Sequence, residues 1–388
     1  MKVCFVTREY PPNVYGGAGV HIKNLARELA QVMVVVVRCF GDQDAAEGRL
    51  KVKGYQAWQR MWEGEDKKFN STLGTFSTGL SVIRDRIDAD VVHGHTWYAS
   101  MAGFMAKTLY DIPLVSTVHS LEPLRPWKEE QLGRSYHLTA WIERMALEAS
   151  DRVIAVSSQS KGEILANFQI PEERVRVIHN GIDLKTWRHS SAVATRKAFG
   201  IEGDYILFVG RTSRQKGMVH LLEAMKHVDP GVRLVCCTSA PDTPEIEEEI
   251  AAKVKETPRC LWINTQLREE QYIELYSNCT VFCCPSVYEP FGIINLEAMA
   301  CERPVVASRI GGIPEVVVPE KTGLLVPPGD AKALAESLNR VLRDRNMARE
   351  MGLAGRRRVE EQFSWTSIAG KTHKMYEELL EERKAKKK

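Results

Sequence analysis

Short apolar runs alternate with stretches in which apolar residues recur at helical spacing along nearly the whole chain. A run without polar alternation marks a strand buried on both faces. Residues 3–7, 32–39, 89–97, 114–119, 153–156 and 175–178 give such strands in the first half. Residues 205–209, 233–237, 261–263, 281–284 and 305–307 give them in the second. Between them, Ile22, Leu25, Ala26 and Leu29 mark one helix face, Val219, Leu222 and Met225 another, and Ile293, Leu296, Met299 and Ala300 a third. Further helices are expected over residues 269–276, from about Pro244, from Ala331, and from Trp365 to about Glu382. In the last of these Ile368, Thr372, Met375 and Leu379 share a face. Strand–helix alternation in both halves predicts an α/β protein of two doubly wound, Rossmann-like parallel sheets. The polar stretch 185–203 reads as the linker between them. Residues 42–80 are polar, with no readable pattern and no evident chemistry.

Strand-to-helix loops hold the candidate chemistry, because open α/β sheets bind ligands at strand C-termini. The string Pro285-Ser286-Val287-Tyr288-Glu289-Pro290-Phe291-Gly292 leads from a buried strand into a helix that bears Glu297. The first N–H groups of such a helix lack partners and suit an anion, and Gly292 lets backbone approach a ligand. Two carboxylates beside an anion site suit hydroxyls, so the mixture fits a nucleotide sugar. An ordinary loop and amphipathic helix would explain a bare Glu pair equally well. Gly16, Gly17 and Gly19 form a second strand–loop–helix passage, at odds with the G-x-G-x-x-G dinucleotide fingerprint. Arg211 and Lys216 lie in a third such loop, where two cations suit a diphosphate. The alternative there is a solvated basic turn. His93, His95 and His119 stand at strand ends; a zinc site would want further ligands, so hydrogen-bonding roles are expected and no metal is assigned. Residues 120–128 make an irregular loop with Arg125, Trp127 and Lys128. Asn180-Gly181 is a strong turn.

Composition narrows the class. The 388 residues suffice for two domains, and 44% hydrophobic with 27% charged content is that of a water-soluble globular protein. A net charge of +3 gives no case for nucleic acid. The basic tail after Glu381 reads as a frayed, solvated terminus. Nine cysteines, several in strand-like runs and without C-x-x-C, read as reduced core thiols of a cytoplasmic protein. No apolar run approaches the roughly 20 residues of a membrane span.

Glu289-Pro290-Phe291-Gly292, with Glu297 after seven intervening residues, resembles the signature of the family-four retaining glycosyltransferases. That resemblance implies the two-domain GT-B fold. The Gly16-Gly17 loop, His119, Asn180-Gly181-Ile182-Asp183, Arg211, Lys216 and the Glu289–Glu297 string fall in the family's order. By resemblance, His119 and Glu289 lie at the transferred sugar, Arg211 and Lys216 hold the leaving diphosphate, and Glu297 meets the ribose. Gly16, Gly17, Asn180, Phe291, Gly292 and Ile293 complete the nucleotide-sugar site. The family's last helix crosses back, which implies a first domain of residues 1–185 with 365–388 and a second of residues 186–364.

Longer strings narrow the likeness: Thr7-Arg8-Glu9-Tyr10-Pro11-Pro12, His95-Thr96-Trp97-Tyr98, and His119 through Lys128 look like bacterial glycogen synthases of the actinobacterial type. Some of these make α-maltose-1-phosphate. The implied donor is ADP-glucose and the implied bond α-1,4, with glucose-1-phosphate or a glucan end as acceptor. Arg125, Lys128, His95 and Trp97 are then the expected acceptor contacts. Val14 and Thr96 replace the Lys and Asp of the starch-synthase pattern, which counts against direct elongation of a large glucan. Neither nucleic acid nor membrane is an expected partner, no cofactor is expected, and the oligomeric state is open. Three rivals stand: an epimerase on the same fold, a nucleotide-sugar-binding module without turnover, and a UDP- or GDP-sugar transferase with a lipid or small-molecule acceptor.

Overall fold

The structure is a computed structural model and describes residues 1–58, 67–239 and 241–387. The chain divides into two compact units, Met1–Asn180 with Trp365–Lys388, and Gly181–Ser364.

Unit 1 holds an eight-stranded sheet built from β1 (Lys2–Thr7), β2 (Val34–Phe40), β3 (Asp44–Glu47), β4 (Leu50–Tyr55), β5 (Val91–His95), β6 (Leu114–Val118), β7 (Arg152–Ala155) and β8 (Val175–Val177). Its order is β3-β4-β2-β1-β5-β6-β7-β8, parallel throughout except for β3 against β4. The order reverses between β1 and β5, so the loops leaving those strands open at the topological switch point. The expected parallel sheet therefore carries an antiparallel edge. All four residues of β3 are exposed, which is why no apolar run announced it. Part of the stretch expected to be unreadable is β3, β4 and the helix Lys67–Arg84; residues 59–66 within it lie outside the described residues.

The helix Trp365–Lys387 belongs to unit 1. Trp365, Ile368, Met375, Tyr376 and Leu379 join Val3, Phe5, Ile22, Leu25 and Val37 in one core. Tyr376 Oη lies 2.5 Å from His93 Nδ1 beneath the sheet. The helix runs to Lys387, and Arg383 pairs with Asp111 near its end.

Unit 2 holds a six-stranded parallel sheet of β9 (Tyr205–Arg211), β10 (Arg233–Ser239), β11 (Cys260–Asn264), β12 (Val281–Cys284), β13 (Val305–Ser308) and β14 (Gly323–Val326). Its order is β11-β10-β9-β12-β13-β14, with the reversal between β9 and β12. The stretch expected to be a linker is folded onto this unit. Its helix Ala194–Ala198 is tied down by Arg196 N–H donating to Glu274 at 2.8 Å, and Ser190 N–H donates to Ser277 at 3.0 Å. β14 and the helix Arg345–Gln362 add to the elements read from sequence. All nine cysteines are free, and all but Cys260 are buried. Among the described residues no helix is long and apolar enough to cross a membrane.

Truncating Tyr376 to Ala empties a fully buried site at the seam of sheet and last helix and leaves His93 Nδ1 unpaired. It is expected to lower the unfolding free energy by about 3–5 kcal/mol, measured by denaturant titration.

Candidate active site

In unit 2 the two loops at the switch point are locked together by backbone. Val287 N–H donates to Gln215 O at 2.9 Å, tying the loop after β12 to the loop after β9. Gly217 sits at φ +66°, and a Cβ there would lie 2.0 Å from Pro285 O. Gly311 supports the same loop from β13: a Cβ on it would lie 1.8 Å from Glu289 O, and Gly312 N–H donates to that oxygen at 3.0 Å. These approaches need glycine on both steric and conformational grounds.

They bring Lys216 Nζ to 2.6 Å from Glu289 Oε2, with the two side chains 15% and 8% exposed. Ser286 Oγ donates to the same oxygen at 3.2 Å. The solvated basic turn, one of two readings of this loop, is thereby overturned for Lys216. Arg211 is more open and pairs with Asp242, an acid the sequence reading did not single out. Glu297 lies on the helix Ile293–Ala300 and accepts from Tyr276 Oη at 2.9 Å. Burial pushes its carboxyl up to about 7, against the opposing effect of the Tyr276 hydrogen bond. Gly292 caps this helix at φ +91°, Ile293 opens it, and Phe291 is buried edge-on to Phe363. Phe291 is thus a wall of the core beneath the loop.

In unit 1 the Gly-rich loop does bind an anion, but an internal one. Tyr15 N–H and Gly16 N–H donate to Glu9 Oε2 at 2.9 and 3.0 Å, and Gly17 begins the helix Gly17–Leu29. The helix start attracts a carboxylate for the reasons that it would attract phosphate. From the same helix His21 turns inward, its Nδ1 2.6 Å from Asn180 Oδ1. Asn180 is therefore occupied by His21. His119, at the end of β6, has its Nε2 3.3 Å from His95 Nδ1 and its ring edge-on to His21. Burial holds all three imidazoles neutral at pH 7: His21 is lowered to about 4, and His95 and His119 fall well below the usual histidine range.

The histidine trio differs from the one in the sequence. His93 is spent in hydrogen bonds, to Tyr376 Oη at 2.5 Å and to Thr117 Oγ1 at 2.6 Å. His21 takes its place, and the ring nitrogens of His21, His95 and His119 lie within 4.8 Å of one another, close enough to hold a metal ion. No sequence spacing announced His21, which shares its helix with Ile22 and Leu25 and reads as core. Thr96, between His95 and Trp97, adopts φ +67°, a strained conformation for a β-branched residue.

The residues expected at the acceptor are turned inward. His95 is wholly buried and Trp97 is 4% exposed. Arg125 donates to Ser120 Oγ at 3.0 Å and lies 3.6 Å from Glu122. Glu143 Oε2 accepts from Glu122 N–H at 2.8 Å, and both Arg125 and Lys128 act electrostatically on its carboxyl. Burial, reinforced by Glu122, holds Glu143 well above the usual carboxylate range. Arg125 is therefore set against Glu122 and, with Lys128, acts on the buried Glu143 carboxyl. Arg8, missed in the sequence, is the cation left with open donors: its guanidinium lies over the Tyr98 ring at 4.4 Å and has no carboxylate partner among the described residues.

Residues 15–186 match the family described as Glycosyltransferase Family 4, and residues 194–358 match Glycosyl transferases group 1. The alpha-maltose-1-phosphate synthase of Mycolicibacterium smegmatis is 43% identical over 98% of this chain and 100% of its own length. The chain is a family 4 glycosyltransferase. A glycogen synthase of Mycobacterium tuberculosis is 29% identical to the transferase over 97% of this chain and 94% of that protein. Among solved structures, a sucrose-phosphate synthase from Thermosynechococcus elongatus superposes with a TM-score of 0.81 at 25% identity, covering 97% of this chain and 98% of that one. The two Rossmann-like units of the transferase are those of the GT-B fold.

Two outcomes follow from the buried acids. Lys216→Ala is expected to destabilise unit 2 by about 3 kcal/mol, because it strands the Glu289 carboxylate. Lys216→Ala with Glu289→Ala should recover part of that loss, as a double-mutant cycle in denaturant would show. For Glu297 the folded pKa of about 7 lies above the ordinary 4.5, so its contribution is full below about pH 4.5 and is lost as pH rises through 7. Glu297→Gln removes that loss. Between about pH 5 and about pH 8 the wild type should lose roughly 2 kcal/mol relative to the variant, read from paired melting curves.

Proposed function

We propose that the transferase moves glucose from ADP-glucose to glucose-1-phosphate with retention, making the α-1,4 bond of α-maltose-1-phosphate. The observation that carries this reading is the end-to-end 43% identity with the Mycolicibacterium smegmatis synthase of that product, against 29% with the glycogen synthase. Val14 and Thr96, where starch synthases have Lys and Asp, point the same way.

In this reading unit 2 holds the donor. When the C1–O bond breaks, charge develops on the diphosphate, and a fixed cation in a water-poor site stabilises it without reorganising. Lys216 has the reach and the burial for that role. It waits on Glu289, which on donor binding turns to sugar hydroxyls while the ammonium turns to phosphate. Arg211 adds a planar fork at the loop's open side. Glu297 takes the ribose hydroxyls. The acceptor hydroxyl attacks from the face the diphosphate leaves, and a phosphate oxygen takes its proton, so no carboxylate nucleophile is required. From unit 1 come the neutral imidazole of His119 beside the sugar and an acceptor site. There Arg8, propped on Tyr98, is the cation placed to meet the acceptor's phosphate.

The test is ADP release from a panel of donors with glucose-1-phosphate or glycogen at matched glucosyl ends, in chelator. ADP-glucose with glucose-1-phosphate should give the highest kcat/KM and persist without added metal. Arg8→Gln should lower kcat/KM for glucose-1-phosphate at least tenfold, consistent with loss of a charged hydrogen-bonding partner worth about 1.5–3 kcal/mol, and leave glycogen transfer unchanged. A higher kcat/KM on glycogen would leave a glycogen synthase. Turnover of UDP- or GDP-sugar alone would leave the third rival.

A further inference from the structure

The trio His21, His95 and His119 offers three ring nitrogens within 4.8 Å, and the proposed transfer uses only His119. His95 Nδ1 and His119 Nε2 are 3.3 Å apart. That is long for a hydrogen bond, whose usual N···O length is about 2.9–3.0 Å. It is the edge of a tetrahedron whose centre lies about 2.0–2.1 Å from each nitrogen, the bond length of imidazole to zinc.

His21 supplies the third corner already oriented. Its Nδ1 is bound to Asn180 Oδ1 at 2.6 Å, and a carboxamide oxygen only accepts. Nδ1 therefore carries the proton, and Nε2 presents a lone pair. A backing hydrogen bond of this kind fixes the tautomer of metal-bound histidines. His21 Nε2 is buried and has no hydrogen-bond partner. A buried lone pair without a donor is an uncompensated polar group. Burial also keeps all three rings unprotonated, as ligation requires. An all-imidazole set suits zinc, cobalt, nickel or copper, while magnesium and calcium prefer oxygen ligands.

We infer that His21, His95 and His119 form a three-histidine site for a divalent transition ion of the zinc class, and that its occupancy inhibits transfer. The inhibition rests on the proposed placing of His119 beside the transferred sugar; the site itself does not. Persistence of turnover in chelator is compatible with both halves, since the ion is an inhibitor and plays no part in the reaction.

The full-length, metal-free protein is titrated with Co2+, followed by its visible d–d absorption, and with Zn2+ by calorimetry. One equivalent should bind with the band intensity of a four-coordinate ion. Thiolate-to-cobalt charge transfer should be absent, which separates the site from the nine cysteines. His21→Gln and His95→Gln should each weaken binding at least tenfold. If either variant fails to fold, nitrogen NMR of the wild-type imidazoles decides: three of the ten histidines should shift with Zn2+. No saturable binding, unchanged binding in folded variants, or shifts confined to other histidines would overturn the site. In parallel, Zn2+ near its Kd should halve ADP release, and chelator should restore it. Stoichiometric binding with unchanged ADP release overturns the inhibitory role and, with it, the placing of His119. If no donor yields ADP even without metal, the proposed function alone fails, and the titrations still decide the site.

Discussion

The contact between Lys216 and Glu289 constrains unit 2 more than any other. Both groups are nearly out of water, and a lone buried charge costs several kcal/mol. The pair is tolerable only if the two loops at the β9/β12 reversal hold fixed register. The backbone bond from Val287 to Gln215 and the close approach of Gly217 to Pro285 impose that register. Gly311 then closes on the Glu289 carbonyl from the next strand. The sheet order thus reaches the chemistry in two steps: it opens a crevice at the reversal, and backbone contacts at that crevice set a pair of opposite charges against each other.

Unit 1 solves the corresponding problem without net charge. Its reversal lies between β1 and β5, and the side chains gathered near those strand ends are imidazoles kept neutral by burial. The last helix is part of this arrangement. By placing Tyr376 against His93 it removes that ring from the cluster and leaves His95 facing His119. A chain segment more than 250 residues away in sequence therefore decides which histidines are available.

What was legible follows from burial. Strands covered on both faces must be apolar throughout, so β1, β5, β9 and β12 stood out, and the loops at their C-terminal ends identified Lys216 and Glu289. β3 was invisible because every residue in it is exposed, and β4 because Lys51 and Lys53 alternate with its buried positions. Partners distant in sequence were invisible for another reason. Arg125 and Lys128 read as loop cations because Glu143, on the helix Ser135–Ala149, has no sequence mark of facing them. Asp242 beside Arg211 and His21 beside His119 are the same case: periodicity shows which face of an element is buried, and not what it meets there.

The contrast between the units has a chemical logic under the proposed transfer. As the C1–O bond lengthens, the sugar acquires positive character and the departing diphosphate negative character. A fixed cation stabilises the diphosphate; the same cation beside the sugar would oppose the reaction. An exposed histidine, with a pKa near 6.5, would be partly protonated at neutral pH and would place a charge there for part of the time. Burial lowers the basicity of His119 first through desolvation and second through repulsion from His21 and His93. The ring can then hydrogen-bond a sugar hydroxyl as a neutral group. A packed trio of imidazoles is one way to obtain an uncharged polar contact from a titratable side chain, and the unpaired lone pair on His21 is the residue of that arrangement.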